Sequence, residues 1–203
     1  QTLPEENYLY STPYEWYEDF GVRRYGAHGI SHEYVANEAA KLMGRPLTEL
    51  KLITCHLGAG ASITAVKNGR SFDTSMGFTP LSGLQMATRA GDVDISLANY
   101  MMKKLELSSM SEMVYLLNEK SGFLGVSGVS ADMRDVEEAA ETGNKRAQLA
   151  IKLFYHNILR YVGQYITEMG GVDGIVFTGG IGENSPETSE EIMKKLAYLG
   201  VTL

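Results

Sequence analysis

Apolar residues recur along this chain in two patterns, as short continuous runs and at helical spacing. The runs at residues 51–57, 61–67 and 70–74 predict three strands, and residues 174–177 predict a fourth. Asn68-Gly69, between the second and third runs, is a strong hairpin signal. The first three strands should therefore form an antiparallel meander.

Helical spacing is clearest in residues 145–169, where apolar residues follow one another at steps of three and four until Gly170-Gly171. Ser31 is expected to cap a helix that ends at Gly44. The spacing predicts helices at residues 13–20, 32–43, 93–105, 111–120, 135–141 and 186–198. Residues 1–26 are otherwise interpreted as an irregular lead-in packed by its aromatic side chains. This order indicates an antiparallel hairpin, a helical insertion and a returning strand.

Two glycine-rich segments, residues 55–62 and 177–184, each follow an apolar run. Glycine lets main-chain N–H groups approach an anion, because no Cβ interferes. Neither segment has the dinucleotide or Walker spacing, and a strand, not a helix, is expected after the first one. One such segment alone is typical of a tight turn. Two of them at the ends of buried strands suggest a nucleotide held between two loops.

Composition narrows the class of protein. At 203 residues the chain can form one sizeable core or two small ones, and its net charge of −7 with no long basic run argues against a nucleic-acid partner. The single cysteine, Cys55, excludes an internal disulfide and is typical of a reducing cytoplasm. No apolar stretch reaches the roughly 20 residues that span a membrane. The first residue, Gln1, is not methionine, so we expect a fragment of a longer protein.

Six motifs, taken together and in order, make the chain resemble the acetate and propionate kinase family (acetokinases) of the actin-like ATPase superfold: residues 1–4, 23–32, 56–60, 73–81, 88–94 and 177–184. The resemblance implies an α/β domain of the actin-like, ribonuclease H-like type, with a mixed sheet, helices on both faces and a helical insertion. It also implies transfer of the γ-phosphoryl group of ATP to a short-chain carboxylate, closest to acetate, giving an acyl phosphate and ADP. Family members require Mg²⁺ and usually form homodimers.

The same resemblance implies roles for individual residues. His28 and Arg89 match the two transition-state residues of the family. The β- and γ-phosphates would be bound by His56, Leu57, Gly58, Ala59 and Gly60. The nucleoside would contact Asp132, Met133 and Arg134, although a solvated ion pair in a turn fits two of these residues equally well. Adenosine and the α-phosphate would be covered by Gly180, Ile181, Gly182, Glu183 and Asn184.

Other polar residues have simpler interpretations. Asp73, Asp92 and Asp94 are expected to cap loops, with a water-mediated role near Mg²⁺ open for Asp94. His32 is interpreted as a helix-start residue and His156 as structural. No residue of this chain is predicted to be a metal ligand.

The chain departs from the family pattern at four positions. Ala59 stands where Asn is usual, Ile30 where Thr, Ala87 where Gly and Ile95 where Pro. The resemblance further implies that residues 1–203 form the C-terminal, nucleotide-binding domain. An N-terminal domain with a catalytic aspartate and a second arginine, and a tail with a Mg²⁺-associated glutamate, would lie outside them.

Two alternatives remain open from the sequence. The first is a propionate or butyrate kinase, because the acyl pocket would lie largely outside this chain. The second is a non-catalytic actin-like ATP-binding module, which Ala59 favours and the pair His28 and Arg89 disfavours. A homodimer is expected, built partly on the helix predicted at residues 145–169 or on its neighbours, because that helix is rich in aromatic residues. Such an aromatic stripe is more often part of a core.

Overall fold

A computed structural model describes residues 2–202 of the protein. Gln1, the first residue of the motif at 1–4, lies outside the described residues. Four strands are present in this range: β1 (Lys51–Leu57), β2 (Ala61–Lys67), β3 (Arg70–Thr74) and β4 (Gly174–Thr178). The α-helices of the same range are α1 (Glu5–Tyr8), α2 (Glu15–Phe20), α3 (Gly29–Met43), α4 (Ile95–Lys104), α5 (Met110–Glu119), α6 (Gly122–Ser127), α7 (Met133–Glu141), α8 (Lys145–Met169), α9 (Gly179–Asn184) and α10 (Pro186–Leu196). Two single 3₁₀ turns cover Leu47–Glu49 and Ala197–Leu199.

The four strands form one mixed sheet in the order β3-β2-β1-β4. β1, β2 and β3 pair in antiparallel fashion as successive neighbours, with Asn68 and Gly69 at positive φ in the second turn. β4 returns after the helical insertion and lies parallel to β1, so that Cys55 pairs with Phe177 and His56 with Thr178. The predicted meander and returning strand are confirmed.

Helices cover both faces of the sheet because side chains alternate along each strand. In β1, Ile53, Cys55 and Leu57 belong to the main core, which α8 completes with a stripe of buried residues: Phe154, Ile158, Val162 and Tyr165. Leu52, on the opposite face, packs in a smaller cluster with Ala36 of α3. A mixed sheet with helices on both faces is the predicted fold class.

The aromatic stripe of α8 is therefore core. Phe154 and Tyr165 are fully buried within this chain, so neither side chain is available to a second copy. Tyr155 and Tyr161 of the same helix are only partly buried, and the homodimer stays a prediction. No helix in the described range is both long enough and apolar enough to cross a membrane.

The beginning of α3 differs from the prediction. The helix starts at Gly29, three residues before the expected position, and its N-cap residue is His28. Ser31 lies inside the first turn, where its hydroxyl contacts His56 and caps nothing. Gly44 ends the helix in the left-handed conformation, as predicted.

Three helices have no counterpart in the prediction: α1, in the lead-in interpreted as irregular, α6 and α9. The second glycine-rich segment, expected to be a loop, forms α9, which begins directly after β4. α6 is a single short helix with glycines at two of its six positions, a composition with little helix propensity. Backbone hydrogen bonds hold α6 against the neighbouring loop, from Phe123 N to the Met86 carbonyl and from Leu124 N to the Ala87 carbonyl. Tertiary contacts therefore compensate for the weak local preference.

Candidate functional site

The two glycine-rich segments meet at one edge of the sheet. Because β1 and β4 are parallel neighbours, their carboxyl ends lie side by side. A Cβ built on Gly58 would lie 3.8 Å from the Gly180 nitrogen. The prediction that both segments face a common site fits this arrangement.

Gly179 makes the close approach possible. Its φ is +81°, and a Cβ at this position would lie 2.7 Å from the Leu57 carbonyl oxygen. No side chain fits between the end of β1 and the start of α9 at that distance. Only glycine allows the two strand ends to come together.

A cavity of about 520 Å³ opens between these segments and α7. Its volume is within the usual range for small-molecule sites. The lining combines apolar walls with a few polar groups: Gly58, Ala59, Ala87, Phe123, Ala131, Asp132, Met133, Arg134, Glu137, Gly180, Ile181, Asn184 and Ser185. Eight of the residues predicted to bind the nucleotide are in this set. After that prediction, the cavity is called the nucleotide cavity.

Asp132 and Arg134 bind each other at the rim of the nucleotide cavity. Asp132 is the N-cap of α7 and accepts a hydrogen bond from the Arg134 main-chain nitrogen. The Arg134 guanidinium donates two further hydrogen bonds, and these bonds, together with the main-chain bond and the positive charge, lower the pKa of Asp132 to about 2. The Arg134 side chain is 86% exposed. The solvated ion pair is therefore present, and it lies at the cavity.

Arg89 lies in the loop after β3. The Met86 nitrogen donates to the Arg89 carbonyl, and the Ala87 nitrogen donates to the Ala59 carbonyl, which ties this loop to the first glycine-rich segment. The guanidinium contacts the Pro80 carbonyl at 3.4 Å, and no ion pair joins it to a carboxylate within residues 2–202. Its charge is thus available to an anion.

His28 and Arg89 both approach Gly60. A Cβ on Gly60 would lie 3.4 Å from His28 Nε2 and 3.6 Å from Arg89 Nη1. His28 has a φ of 60°, a left-handed conformation that is uncommon for residues with a Cβ and often marks a functional position. The two predicted transition-state residues are brought together at the carboxyl end of β1.

A stack of histidines lies behind this position. The rings of His28 and His56 are 4.2 Å apart at their centroids and nearly parallel, and Ser31 Oγ is 2.8 Å from His56 Nδ1. Burial lowers the pKa of both imidazoles; His56 and Arg89 lower that of His28 further, whereas Glu183 acts in the opposite sense on His56. Both rings therefore favour the neutral form in the free protein.

His32 is buried under the stack, which the sequence analysis missed. It is only 4% exposed, and its two ring nitrogens contact Thr54 and Ser62 at 2.7 Å each. Burial, together with the two nearby histidines, lowers the pKa of His32 to about 3. The alternation of side chains along β1 and β2 could have shown that Thr54 and Ser62 lie on the same face of the sheet. Only the observed start of α3 places His32 against that face.

Several predicted binding residues do not line the nucleotide cavity. Leu57 is fully buried in the main core. The carboxylate of Glu183 turns back to accept hydrogen bonds from Thr178 Oγ1 and the Gly179 nitrogen. His56, Gly60 and Gly182 also lie outside the lining set.

Of the three aspartates interpreted as loop caps, Asp92 and Asp94 lie in the loop before α4, whereas Asp73 is a buried residue of β3. Asp94 accepts from the Ser96 nitrogen at the start of α4, and Asp73 accepts from the Thr74 nitrogen. Asp92 accepts from the Gly83 nitrogen and from the Tyr161 hydroxyl. Within the described part of the chain, no group of three or more His, Cys, Asp or Glu residues could hold a metal ion.

Comparison with known proteins identifies the class of protein. The sequence model of the acetokinase family matches residues 1–203, so the chain belongs to the acetokinase family. It is 61% identical over 199 residues to the acetate kinase of Limosilactobacillus fermentum (strain NBRC 3956 / LMG 18251), a match that covers 98% of this chain and 50% of that protein. The chain thus spans about half the length of the curated relatives that it matches.

Solved structures confirm the fold. Porphyromonas gingivalis acetate kinase superposes with a TM-score of 0.95 at 46% identity, over 98% of this chain and 50% of that one. A propionate kinase from Francisella tularensis subsp. tularensis SCHU S4 gives a TM-score of 0.92 at 44% identity, with the same coverage. The α/β fold predicted from the order of motifs is therefore correct.

Proposed function

We propose that this chain is the nucleotide-binding part of an acetate kinase, which transfers the γ-phosphoryl group of ATP to acetate and forms acetyl phosphate and ADP reversibly. The observation that carries the proposal is the meeting of both glycine-rich segments and residues 132–134 around one cavity, with Arg89 and His28 both beside Gly60. Curated relatives named acetate kinase, at 54% to 61% identity, support the same substrate.

In this proposal the nucleotide lies along the edge formed by β1 and β4. Main-chain N–H groups of residues 56–60 bind the β- and γ-phosphates, and residues 180–184 cover the adenosine and the α-phosphate. Asp132, Met133 and Arg134 contact the nucleoside from α7. The apolar walls, which include Phe123 and Ile181, suit a flat base.

Arg89 and His28 would act on the transferring group. A carboxylate oxygen of acetate attacks the γ-phosphorus while the bond from this phosphorus to the bridging oxygen of ADP breaks. Charge is spread over the three equatorial oxygens in such a loose transition state, so that catalysis consists mainly of positioning and electrostatic stabilisation. The guanidinium of Arg89 can bind two of these oxygens at once, and His28 Nε2 can donate to a third.

Mg²⁺ is part of the proposal as a companion of the nucleotide. In kinases this ion is held largely by substrate phosphates and water, with one or two carboxylates. The described residues supply no cluster of acidic groups that would hold it on their own. When bound, the ion would neutralise phosphate charge, and no described residue is assigned to it.

Assembly and location also belong to the proposal. Family resemblance supports a homodimer, and the single buried, unpaired Cys55 is consistent with a cytoplasmic location. We further propose that residues 1–203 act as one domain of a longer enzyme.

A propionate kinase is the second candidate, since the Francisella propionate kinase fits the fold almost as closely as the acetate kinase does. A coupled assay of ADP release by the full-length protein, with acetate, propionate and butyrate at matched concentrations, decides between them. The highest kcat/KM with acetate is expected. A preference for propionate would reassign the substrate, and no carboxylate-dependent ADP release would favour a non-catalytic ATP-binding module.

A further inference from the structure

A line of side-chain contacts runs from His28 into the sheet. His28 Nδ1 lies 2.9 Å from Ser62 Oγ, and Ser62 Oγ lies 2.7 Å from His32 Nε2. His32 Nδ1 lies 2.7 Å from Thr54 Oγ1, which donates to the Thr64 carbonyl at 3.4 Å. Ser62 and Thr54 are fully buried, so water does not replace any of these partners.

The Thr64 carbonyl at the far end can only accept, so a single set of directions makes every contact in this line a hydrogen bond. The proton of the Thr54 hydroxyl goes to the Thr64 carbonyl, so Thr54 Oγ1 accepts from His32 Nδ1. A neutral imidazole has one donor and one acceptor nitrogen, which leaves His32 Nε2 to accept the Ser62 proton. His32 is neutral at any pH well above 3, since burial holds its pKa at about that value.

Ser62 then has no proton left for His28. Its oxygen can only accept, and the nitrogen of His28 that faces it must be the donor. We propose that Ser62 is a positioning residue that holds neutral His28 as the Nδ1–H tautomer, so that Nε2, on the Arg89 side, carries a proton only when His28 is an imidazolium. The tautomer follows from these contacts together with a neutral His32, and only its consequence for catalysis rests on the proposed function.

The tautomer determines which protonation state of His28 can donate a hydrogen bond to the phosphoryl group. Donation from Nε2 to a phosphoryl oxygen would require His28 to be charged, and the Ser62 contact is compatible with this, because Nδ1–H still donates to it. The groups that face His28 are His56, stacked on it, His32 below and the Arg89 guanidinium; Glu183 faces His56. A phosphate group beside Nε2 would favour the charged form. Turnover is therefore expected to fall as pH rises through the pKa of His28 in the substrate complex.

The first test determines the tautomer in the wild-type protein and uses a variant only to assign the signals. Histidine-selective ¹⁵N labelling of the whole protein and two-bond ¹H–¹⁵N spectra distinguish protonated from unprotonated ring nitrogens, and loss of peaks in His28→Gln assigns the ring. At a pH where His28 is neutral we expect a protonated Nδ1 and a bare Nε2. A protonated Nε2 and bare Nδ1 would overturn the proposal, whether or not the protein has kinase activity.

The second test uses Ser62→Ala in the full-length enzyme, with Thr64→Val as the matched control. Thr64 lies on the same face of β2, two residues away, and its hydroxyl pairs with Thr74 and not with a histidine. Losing a hydrogen bond to a charged group should reduce kcat about tenfold with little change in the KM for ATP. The alkaline limb of the kcat profile should move to lower pH, because the imidazolium loses its acceptor.

Thr64→Val should keep the wild-type profile. If Ser62→Ala and Thr64→Val had the same kcat and the same pH for the alkaline limb, Ser62 would not position His28. If the full-length protein lacks kinase activity altogether, the proposed function fails while the nitrogen spectra still decide the tautomer. If Ser62→Ala does not fold, the wild-type spectra alone decide it.

Discussion

At the scale of single residues, Arg89 is the most exacting test of the proposed chemistry. Its guanidinium lies beside Gly60 and forms no ion pair within residues 2–202. Arg89→Ala should lower kcat by about 10²-fold or more, because transition-state charge loses its stabilising partner. Arg89→Lys should not restore turnover, since an ammonium lacks the two-pronged geometry. The measurement is acetate-dependent ADP release by variants of the full-length enzyme at saturating ATP.

Arg70→Ala provides the control for removing one positive charge. Arg70 is exposed at the first position of β3, next to the Asn68-Gly69 turn and away from the nucleotide cavity. Its kcat should match that of the wild type. Near-normal turnover in Arg89→Ala would remove this arginine from the mechanism.

The buried histidines also predict how stability depends on pH. The pKa of His32 falls from 6.5 to about 3 on folding, so the unfolded chain binds more protons between these values. The stability that comes from keeping His32 neutral is complete above pH 6.5 and is lost as pH falls towards 3. His28 and His56 act in the same sense, whereas Asp73, whose pKa burial raises from 3.8 to about 6, acts oppositely.

Urea unfolding at intervals between pH 7 and pH 4 measures this linkage. The free energy of unfolding should decrease towards low pH, and His32→Gln should flatten the decrease whatever its effect at pH 7. His156→Gln, at an exposed position of α8, controls for the substitution. An equally steep slope in His32→Gln would show that this imidazole does not contribute.

At the scale of elements, the junction of β1 with β4 and α9 depends on one glycine. Gly179→Ala should destabilise the protein by about 1–3 kcal/mol, because a left-handed alanine with a Cβ 2.7 Å from the Leu57 carbonyl forces the strand ends apart. Gly180→Ala is the matched control: it is the next residue, inside α9, and its Cβ would meet nothing within 4 Å. Thermal unfolding should show no loss for Gly180→Ala; equal losses in both would contradict this account.

At the scale of the whole molecule, this chain spans about half the length of its relatives and supplies eight of the predicted binding residues to the nucleotide cavity. We therefore predict that the isolated 203-residue chain binds MgADP weakly, with a Kd of about 0.1–1 mM. It should form no acetyl phosphate, because the resemblance places further catalytic groups and domain closure outside it. Calorimetry tests binding, and a hydroxamate assay tests transfer. Robust activity of this chain alone would overturn the assigned mechanism.

The sequence by itself determined the elements with strong local signals. Neighbouring residues are enough to interpret the continuous apolar runs of the strands, the Asn68-Gly69 turn and the helical periodicity of the 25-residue α8, and each lies where predicted. The ordered motifs also indicated the family. Through that resemblance they predicted a shared catalytic role for His28 and Arg89, although 61 positions separate these residues.

Only the tertiary structure decided how those residues are held. α6 and α9 are glycine-containing helices whose weak propensity is overcome by contacts with loops distant in sequence. The role of Ser62 depends on α3 beginning at Gly29, which turns His32 down onto the sheet and His28 towards Arg89. Hydrogen-bond direction, burial and the resulting pKa values arise from packing between elements, and no local pattern in the sequence encodes them.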